Sequence, residues 1–298
     1  MKKLFITLTL LVAAVVAPQS SYAEGAEDAA AKSAWTLGGN FSLSLSQASF
    51  SNWASGGENS VGLNLQLNYS ADYEANKHIF KNRIELAYGL NNTQSVGNRK
   101  TNDKIYLSST YGYEVGKNLY LSGLFTFQTQ FANGYTYNTD SADVLISTIM
   151  SPGYLTLGAG LTWTPKSWFT ATLTPATWRE VFVLNEDLSD AGSFGVDVGQ
   201  HAYAEAGANL QLVVNKDIMK NVNLYTRLNL FSNYLEDAEN VDVDWEVQLS
   251  MKINKWLSAS VSTNLAYDDN IDIVRKDGSV GPALQFKENI GVGLQVAF

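Results

Sequence analysis

The chain has 298 residues, 45% hydrophobic and 12% aromatic, with a formal net charge of −9. It holds no cysteine, which excludes a disulfide scaffold, a thiolate metal site, a cysteine nucleophile and a lipidated cysteine. An acidic chain without a run of lysine or arginine repels phosphate backbones, so nucleic acid is not an expected partner.

The N-terminus reads as an export signal. Lys2 and Lys3 form a short basic region, Leu4 to Ala17 an apolar run, and Ser21-Tyr22-Ala23 sets small residues at the two positions a signal peptidase inspects. Cleavage is expected after Ala23. An apolar run of about 14 residues falls short of the roughly 20 that a spanning helix needs. Residues 24–34, rich in alanine and acidic residues, are expected to be a periplasmic tail, and 35–298 an outer-membrane barrel.

From Trp35 onward apolar and polar residues alternate with period two, which places one set on each face of a strand. Val243, Trp245, Val247 and Leu249 interleave with Asp244, Glu246, Gln248 and Ser250, and the same pattern recurs at Val61–Ser70 and Val222–Leu230. A mean hydropathy of −0.10 beside 15 Tyr, 13 Phe and 7 Trp fits faces of opposite character. In chain order the pattern predicts strands near 36–46, 60–73, 79–91, 103–115, 119–131, 153–164, 167–175, 201–215, 221–233, 241–254, 256–267 and 284–298. That makes an all-β, antiparallel transmembrane barrel of about 12 strands, most of them meeting the roughly 9–11 residues a tilted membrane strand requires.

Between these strands short and long connections alternate. Short turns are expected around 75–77, 116–118, 165–166, 216–218 and 254–255, and loops over 47–59, 92–102, 132–152, 176–200, 234–240 and 268–283. Short periplasmic turns and long extracellular loops are the asymmetry of outer-membrane barrels. The short side carries Lys77, Lys117, Lys166, Lys216, Lys220 and Lys255; the long side is acidic, with Glu180, Glu186, Asp187, Asp190, Glu236 and Asp268 among its carboxylates. Tyr73, Tyr113, Tyr120, Trp163, Trp168, Trp256 and Tyr267 fall near strand ends, where amphipathic rings settle at a membrane interface. The last strand alternates to Phe298, the aromatic end expected of an assembly signal read by the outer-membrane assembly machinery.

The segment Asn52-Trp53-Ala54-Ser55-Gly56-Gly57-Glu58-Asn59 resembles an uncharacterised family of Bacteroidota outer-membrane proteins, the domain of unknown function thirty seventy-eight. The likeness continues at Leu173-Thr174-Pro175, where that family more often has Ser-Pro, and at Phe231-Ser232-Asn233-Tyr234-Leu235. It extends through Val243-Asp244-Trp245-Glu246, Met251-Lys252-Ile253-Asn254-Lys255 and Tyr267-Asp268-Asp269-Asn270. The resemblance implies an outer-membrane location without an assigned activity and brings no catalytic or ligand residues.

Three local features suggest chemistry. His201, one of only two histidines, follows a loop bearing Ser189, Ser193, Asp187 and Asp190, the residue types of a serine-type hydrolase at the rim. No G-x-S-x-G spacing accompanies it. Asp268, Asn270 and Asp272 offer oxygen ligands at alternate positions, but Ile273 stands where a calcium loop has glycine, so solvated loop carboxylates are the plainer reading. Gly56-Gly57 beside Trp53 marks a turn that lets the chain adopt positive φ, or folds an aromatic back over the barrel mouth.

The inward parity carries Arg83, Glu85, Lys104, Arg227, Glu246 and Lys252 as the expected lumen lining, with Glu114, Glu205, Asp244 and Lys287 alongside. Both signs alternate, which favours ion pairing in a narrow or plugged lumen over a porin of one-sign lining. No cofactor is expected. The expected contacts are outer-membrane lipid and lipopolysaccharide. Three roles remain open: passage or binding of small polar solutes, a structural scaffold, and an enzyme acting on lipid or envelope substrates with His201 as base.

Overall fold

A computed structural model describes residues 34–49, 58–137, 142–236, 238–275 and 278–298. The expected signal peptide, most of the tail, and the Trp53/Gly56-Gly57 turn lie outside the described residues.

Twelve strands close into one antiparallel barrel: β1 (Trp35–Ala48), β2 (Ser60–Ala75), β3 (His78–Thr93), β4 (Gly97–Gly116), β5 (Leu119–Thr129), β8 (Gly153–Lys166), β9 (Phe169–Phe182), β10 (Ala202–Met219), β11 (Val222–Asn233), β12 (Asp242–Lys252), β13 (Leu257–Tyr267) and β16 (Gln285–Ala297). The long connections carry two small hairpins, β6 (Gly134–Thr136) with β7 (Val144–Ser147), and β14 (Asp272–Val274) with β15 (Val280–Pro282). Each barrel strand pairs with its sequence neighbour in the ring, and β1 with β16 closes it. Among the described residues no helix is long and apolar enough to cross a membrane.

One end of the barrel is turned tightly. Ala75 pairs with His78 across Asn76-Lys77, whose φ values of 51° and 69° make the two-residue turn that suits the twist of a hairpin. Asn118 and Asn221 supply positive φ in two further turns. The expected turn at 216–218 is strand instead: a bulge between Asp217 and Met219 carries β10 on, and the chain reverses at Lys220-Asn221.

Two predicted loops shorten for identifiable reasons. Strand β9 does not stop at Pro175, as expected, but runs to Phe182. Thr174 pairs with Asn209 and Thr177 with Gly207, so Pro175 sits in a bulge and owes the ladder no N–H. Thr177 Oγ1 closes the bulge on the Thr174 carbonyl at 2.6 Å. Gly160 makes room for it, since a side chain there would run into the Leu173 carbonyl. Over 92–102, β3 and β4 remain paired as far as Thr93 and Gly97. The alternation fails there because an irregularity between Gly89 and Leu90 shifts the parity and polar residues follow on both faces.

Outward positions are apolar and exposed, as at Leu121, Leu157, Leu161, Trp245 and Val292, while the interior is polar. Tyr113, Trp163, Trp168 and Trp256 ring the tight-turn end on the outside, and Phe131, Trp178, Trp245 and Tyr234 the other. Tyr120 departs from the expected girdle: its parity, shared with Ser122 and Leu124, buries it inside the barrel. At the long-loop end the β9–β10 connection folds into a cap. Helix α1 (Glu186–Asp190) starts on Asn185, whose side chain accepts from Leu188 N at 3.1 Å, and Val183, Leu188 and Val196 form a small apolar cluster.

Candidate functional site

The interior is the chemically distinctive part of the molecule. In the middle of the barrel Glu85 from β3 accepts from Arg83 at 2.5 Å, Lys104 of β4 at 2.5 Å and Arg227 of β11 at 3.2 Å. Glu246 of β12 accepts from Lys104 and Arg227, each at 2.8 Å. Strands β3 and β11, and likewise β4 and β12, stand diametrically opposite in the ring of twelve. The Glu85–Arg227 and Lys104–Glu246 bridges therefore cross the full lumen, while Lys104–Glu85 and Arg227–Glu246 link neighbouring strands along the wall.

Two tyrosines fix the guanidinium groups. Arg227 lies 3.7 Å from the centre of the Tyr106 ring and Arg83 3.6 Å from that of Tyr225, an arrangement whose cation–π attraction grows as water is excluded. Tyr225 also donates to Glu85 at 3.3 Å, and Gln248 to Glu246 at 2.6 Å. Arg227 retains only 2% of its exposure. An arginine so deeply buried is tolerable only because two carboxylates face it. Lys252 shares the parity of Glu246 but ends β12 at the tight-turn end; it is exposed and makes no ion pair among the described residues.

Nearer the long loops lies a second cluster. Arg179 of β9 pairs with Glu205 of β10, with Asp242 of β12 at 2.6 Å, and with Asp268 just beyond β13 at 3.8 Å. Asp268 is outside the strands, and its carboxyl is pushed up to about 6 by burial, against the opposing pull of Arg179, with Asp242 adding to the rise. A side chain at Gly195 of the cap would meet Asn270, so the β9–β10 and β13–β16 connections approach each other closely there. Arg179 escapes notice in the sequence because the proline bulge disguises the second half of β9 as loop; Glu205 is on the expected inward parity, but without Arg179 nothing joins it to Asp242 and Asp268. The tyrosines beside the arginines have the inward parity but no feature that separates them from interfacial rings.

The other candidates are not assembled into sites. His201 Nδ1 lies 3.0 Å from the Val183 carbonyl, and among the described residues no hydroxyl bonds its ring. Ser189 is fully buried and its hydroxyl donates to the Gln200 carbonyl at 2.7 Å. Asp268 turns inward to Arg179 and accepts from Asn270 N at 2.9 Å, while Asp272 opens β14 opposite Pro282. No group of three or more metal-ligating side chains occurs among the described residues. Phe298 lies at the seam: its backbone exchanges hydrogen bonds with Gly39 at 2.9 and 3.0 Å, and its ring stacks on Tyr69.

Space remains on one side of the lumen. A cavity of about 110 Å³ lies between the ion bridges and the wall of β2, β12, β13 and β16, lined by Gln66, Asn68, Lys104, Asp244, Asn264 and Lys287 among others. A second void of about 10 Å³ continues from it past Gln66 and Gln248 toward Ser258 and Gln295. The first has room for several waters or a small polar group; the second is at the limit for one water.

Fold and interior together define a closed twelve-strand antiparallel barrel with an ion-paired, obstructed lumen. The model of a family described as "Protein of unknown function (DUF3078)" matches residues 45–135. No curated protein matches. Among solved structures, the COG4313 outer membrane channel from Pseudomonas putida F1 is similar at 13% identity and a TM-score of 0.37, covering 92% of this chain and 98% of that one. The translocator domain of the autotransporter NalP from Neisseria meningitidis follows at 11% identity and a TM-score of 0.35, covering 87% of each chain. OmpT, an outer membrane protein of Vibrio cholerae, has 9% identity and a TM-score of 0.31, covering 89% and 97%.

Proposed function

We propose that this protein is an outer-membrane β-barrel whose resting lumen is closed to bulk solutes, and that it acts by binding within its interior and at its acidic rim rather than as a general porin. The observation that carries the reading is the pair of diametric bridges, Glu85 with Arg227 and Lys104 with Glu246, at 3.2 and 2.8 Å. Several features support a membrane setting. The outward faces are greasy and bounded by aromatic residues at both ends, the interior is polar, and tight turns at one end face mostly longer connections at the other. In that setting the tight turns lie in the periplasm and the acidic connections at the cell surface, beside lipopolysaccharide.

Two measurements test this. The protein should fractionate with the outer membrane as a heat-modifiable barrel, and the purified barrel should show little conductance in planar bilayers across a solute-size series. A large, stable single-channel conductance from the unmodified protein overturns the closed-lumen reading and restores a general porin. Recovery in the soluble periplasmic fraction overturns the membrane reading.

A further inference from the structure

The lumen is obstructed unevenly. Toward the tight-turn end Lys81 of β3 reaches across to Thr170 of β9 at 2.9 Å, and the space past Gln66 and Gln248 narrows to about 10 Å³. At the long-loop end the cap follows β9, and the Arg179 cluster ties β9 to β10 and β12. The wall opposite β8 and β9 is that of β16 and β1. There Lys287 and Gln285, which pair with Asn264 and Ala266 on the lumen face of β13, are exposed, as is Ser46 of the same inward parity on β1. The cavity of about 110 Å³, which Lys287 itself lines, is therefore reached from the long-loop end along β16 and β1. A pocket open at one end and pinched at the other binds rather than conducts.

Its wall carries both signs of charge, incompletely neutralised. Glu85, Lys104 and Glu246 are held in the bridges, and Asp103 pairs with Lys100 at 2.9 Å. The remaining charged residues of the wall, Lys287 and Asp244, form no ion pair among the described residues. Lys287 Nζ donates to the Asn102 amide oxygen at 3.1 Å, and Asp244 accepts from the Asn264 amide at 2.7 Å. A neutral amide offsets an enclosed charge far less than an opposite charge does. Around the two stand carboxamides that offer donors and acceptors alike; those of Gln66, Gln128 and Asn289 make no hydrogen bond among the described residues.

This combination sorts ligands by charge. A simple anion would meet Lys287 but also Asp244 and Glu246, and a simple cation would meet the reverse. An uncharged polyol would use the amides and leave both charges unanswered. A molecule bearing an ammonium and a carboxylate together satisfies both, and the volume restricts it to a few heavy atoms.

We propose that this pocket binds a small zwitterion of the α-amino acid class, entering from the long-loop end, with its carboxylate on Lys287, its ammonium on Asp244 and the amides of Gln66 and Asn289 about them. This rests on the interior-binding reading above and gives it a ligand class and a site.

Isothermal titration of the purified full barrel in detergent micelles tests the site, with glycine and L-alanine as probes and acetate, methylammonium and glycerol as partial ligands. Glycine and L-alanine should bind saturably at one site, and L-tryptophan, too large for the cavity, should not bind. Each partial ligand should bind about tenfold more weakly or worse, and Lys287→Met and Asp244→Asn should each lower glycine affinity by a similar factor, the loss of one charge-assisted hydrogen bond. Lys252→Met, at the tight-turn end, should leave it unchanged. Because the chain has no cysteine, Gln285→Cys can carry a bulky methanethiosulfonate label, which should abolish binding, with recovery on reduction; the same label on Lys255→Cys should have no effect. Heat-modifiable mobility identifies the variants that have folded. No glycine binding by the parent, acetate or glycerol binding as tightly as glycine, or an affinity insensitive to both charge variants overturns the site. Binding unaffected by the label at 285, or blocked by the label at 255, overturns the entry route. Micelles involve neither membrane fractionation nor conductance, so these outcomes are distinct from those that overturn the membrane setting or the closed lumen.

Discussion

Glu85 and Arg227, 142 positions apart in the chain, meet at 3.2 Å after reaching across the whole barrel from opposite strands. Each is nearly fully buried, and each has a further partner of opposite charge, Lys104 for the carboxylate and Glu246 for the guanidinium. Removing one charge strands the others in a site with little water, which typically costs about 3–5 kcal/mol. Arg227→Ala should therefore destabilise the barrel by that order in urea titration and raise ion leakage in planar bilayers. Arg83→Ala should do so more mildly, because Arg83 pairs with one carboxylate, Glu85, and is less buried. Leakage unchanged in both variants counts against the bridges as the obstruction.

The faces of β12 can be tested separately. Val247 and Leu249 face outward opposite Thr226 and Leu224, whereas Gln248 faces inward and donates to Glu246. An arginine at Val247 or Leu249 should cost about 2–4 kcal/mol if it lies mid-membrane, and at Gln248, beside a carboxylate, much less. Equal losses on both faces, measured by reversible unfolding in lipid, contradict a lipid-facing exterior.

Protonation should act at the mouth. Asp268 has a folded pKa of about 6 against an ordinary 3.8, through burial and the neighbouring Asp242. A carboxyl raised in the fold supports it while protonated, so its contribution is full below about pH 4 and is lost as pH rises through 6. Asp268→Asn should gain stability over the parent between pH 4 and 7, on the order of 2 kcal/mol. A parent–variant difference that stays constant over this range refutes the assignment.

Phe298 joins the two ends of the sheet through Gly39 and stacks on Tyr69 of β2. Phe298→Ala should lower the yield of heat-modifiable barrel in the outer-membrane fraction, leaving degraded or unassembled protein. Gly39→Val should do the same by a separate route, since its side chain would collide with the Phe298 ring. Parental yields for both variants remove Phe298 from assembly.

Much of this architecture is legible in the residues alone, because period-two alternation is a local property that survives without knowledge of partners. The parity of Val243 to Met251 and of Val222 to Leu230 assigns each side chain to lipid or lumen before any strand is paired. That Arg83, Glu85, Lys104, Arg227 and Glu246 share one enclosed space follows from the same parity. What it does not determine is who meets whom. The alternation is blind to strand tilt and to position around the ring, and it fails where a bulge inserts a residue, as at Pro175. Only closure of the ring sets β3 opposite β11 and β4 opposite β12, converting a mixed lining into bridges across a diameter. Closure likewise decides that the β1–β16 ladder stops at Ser44 and Gly293, since an unpaired edge depends on strands more than 240 residues apart in the chain.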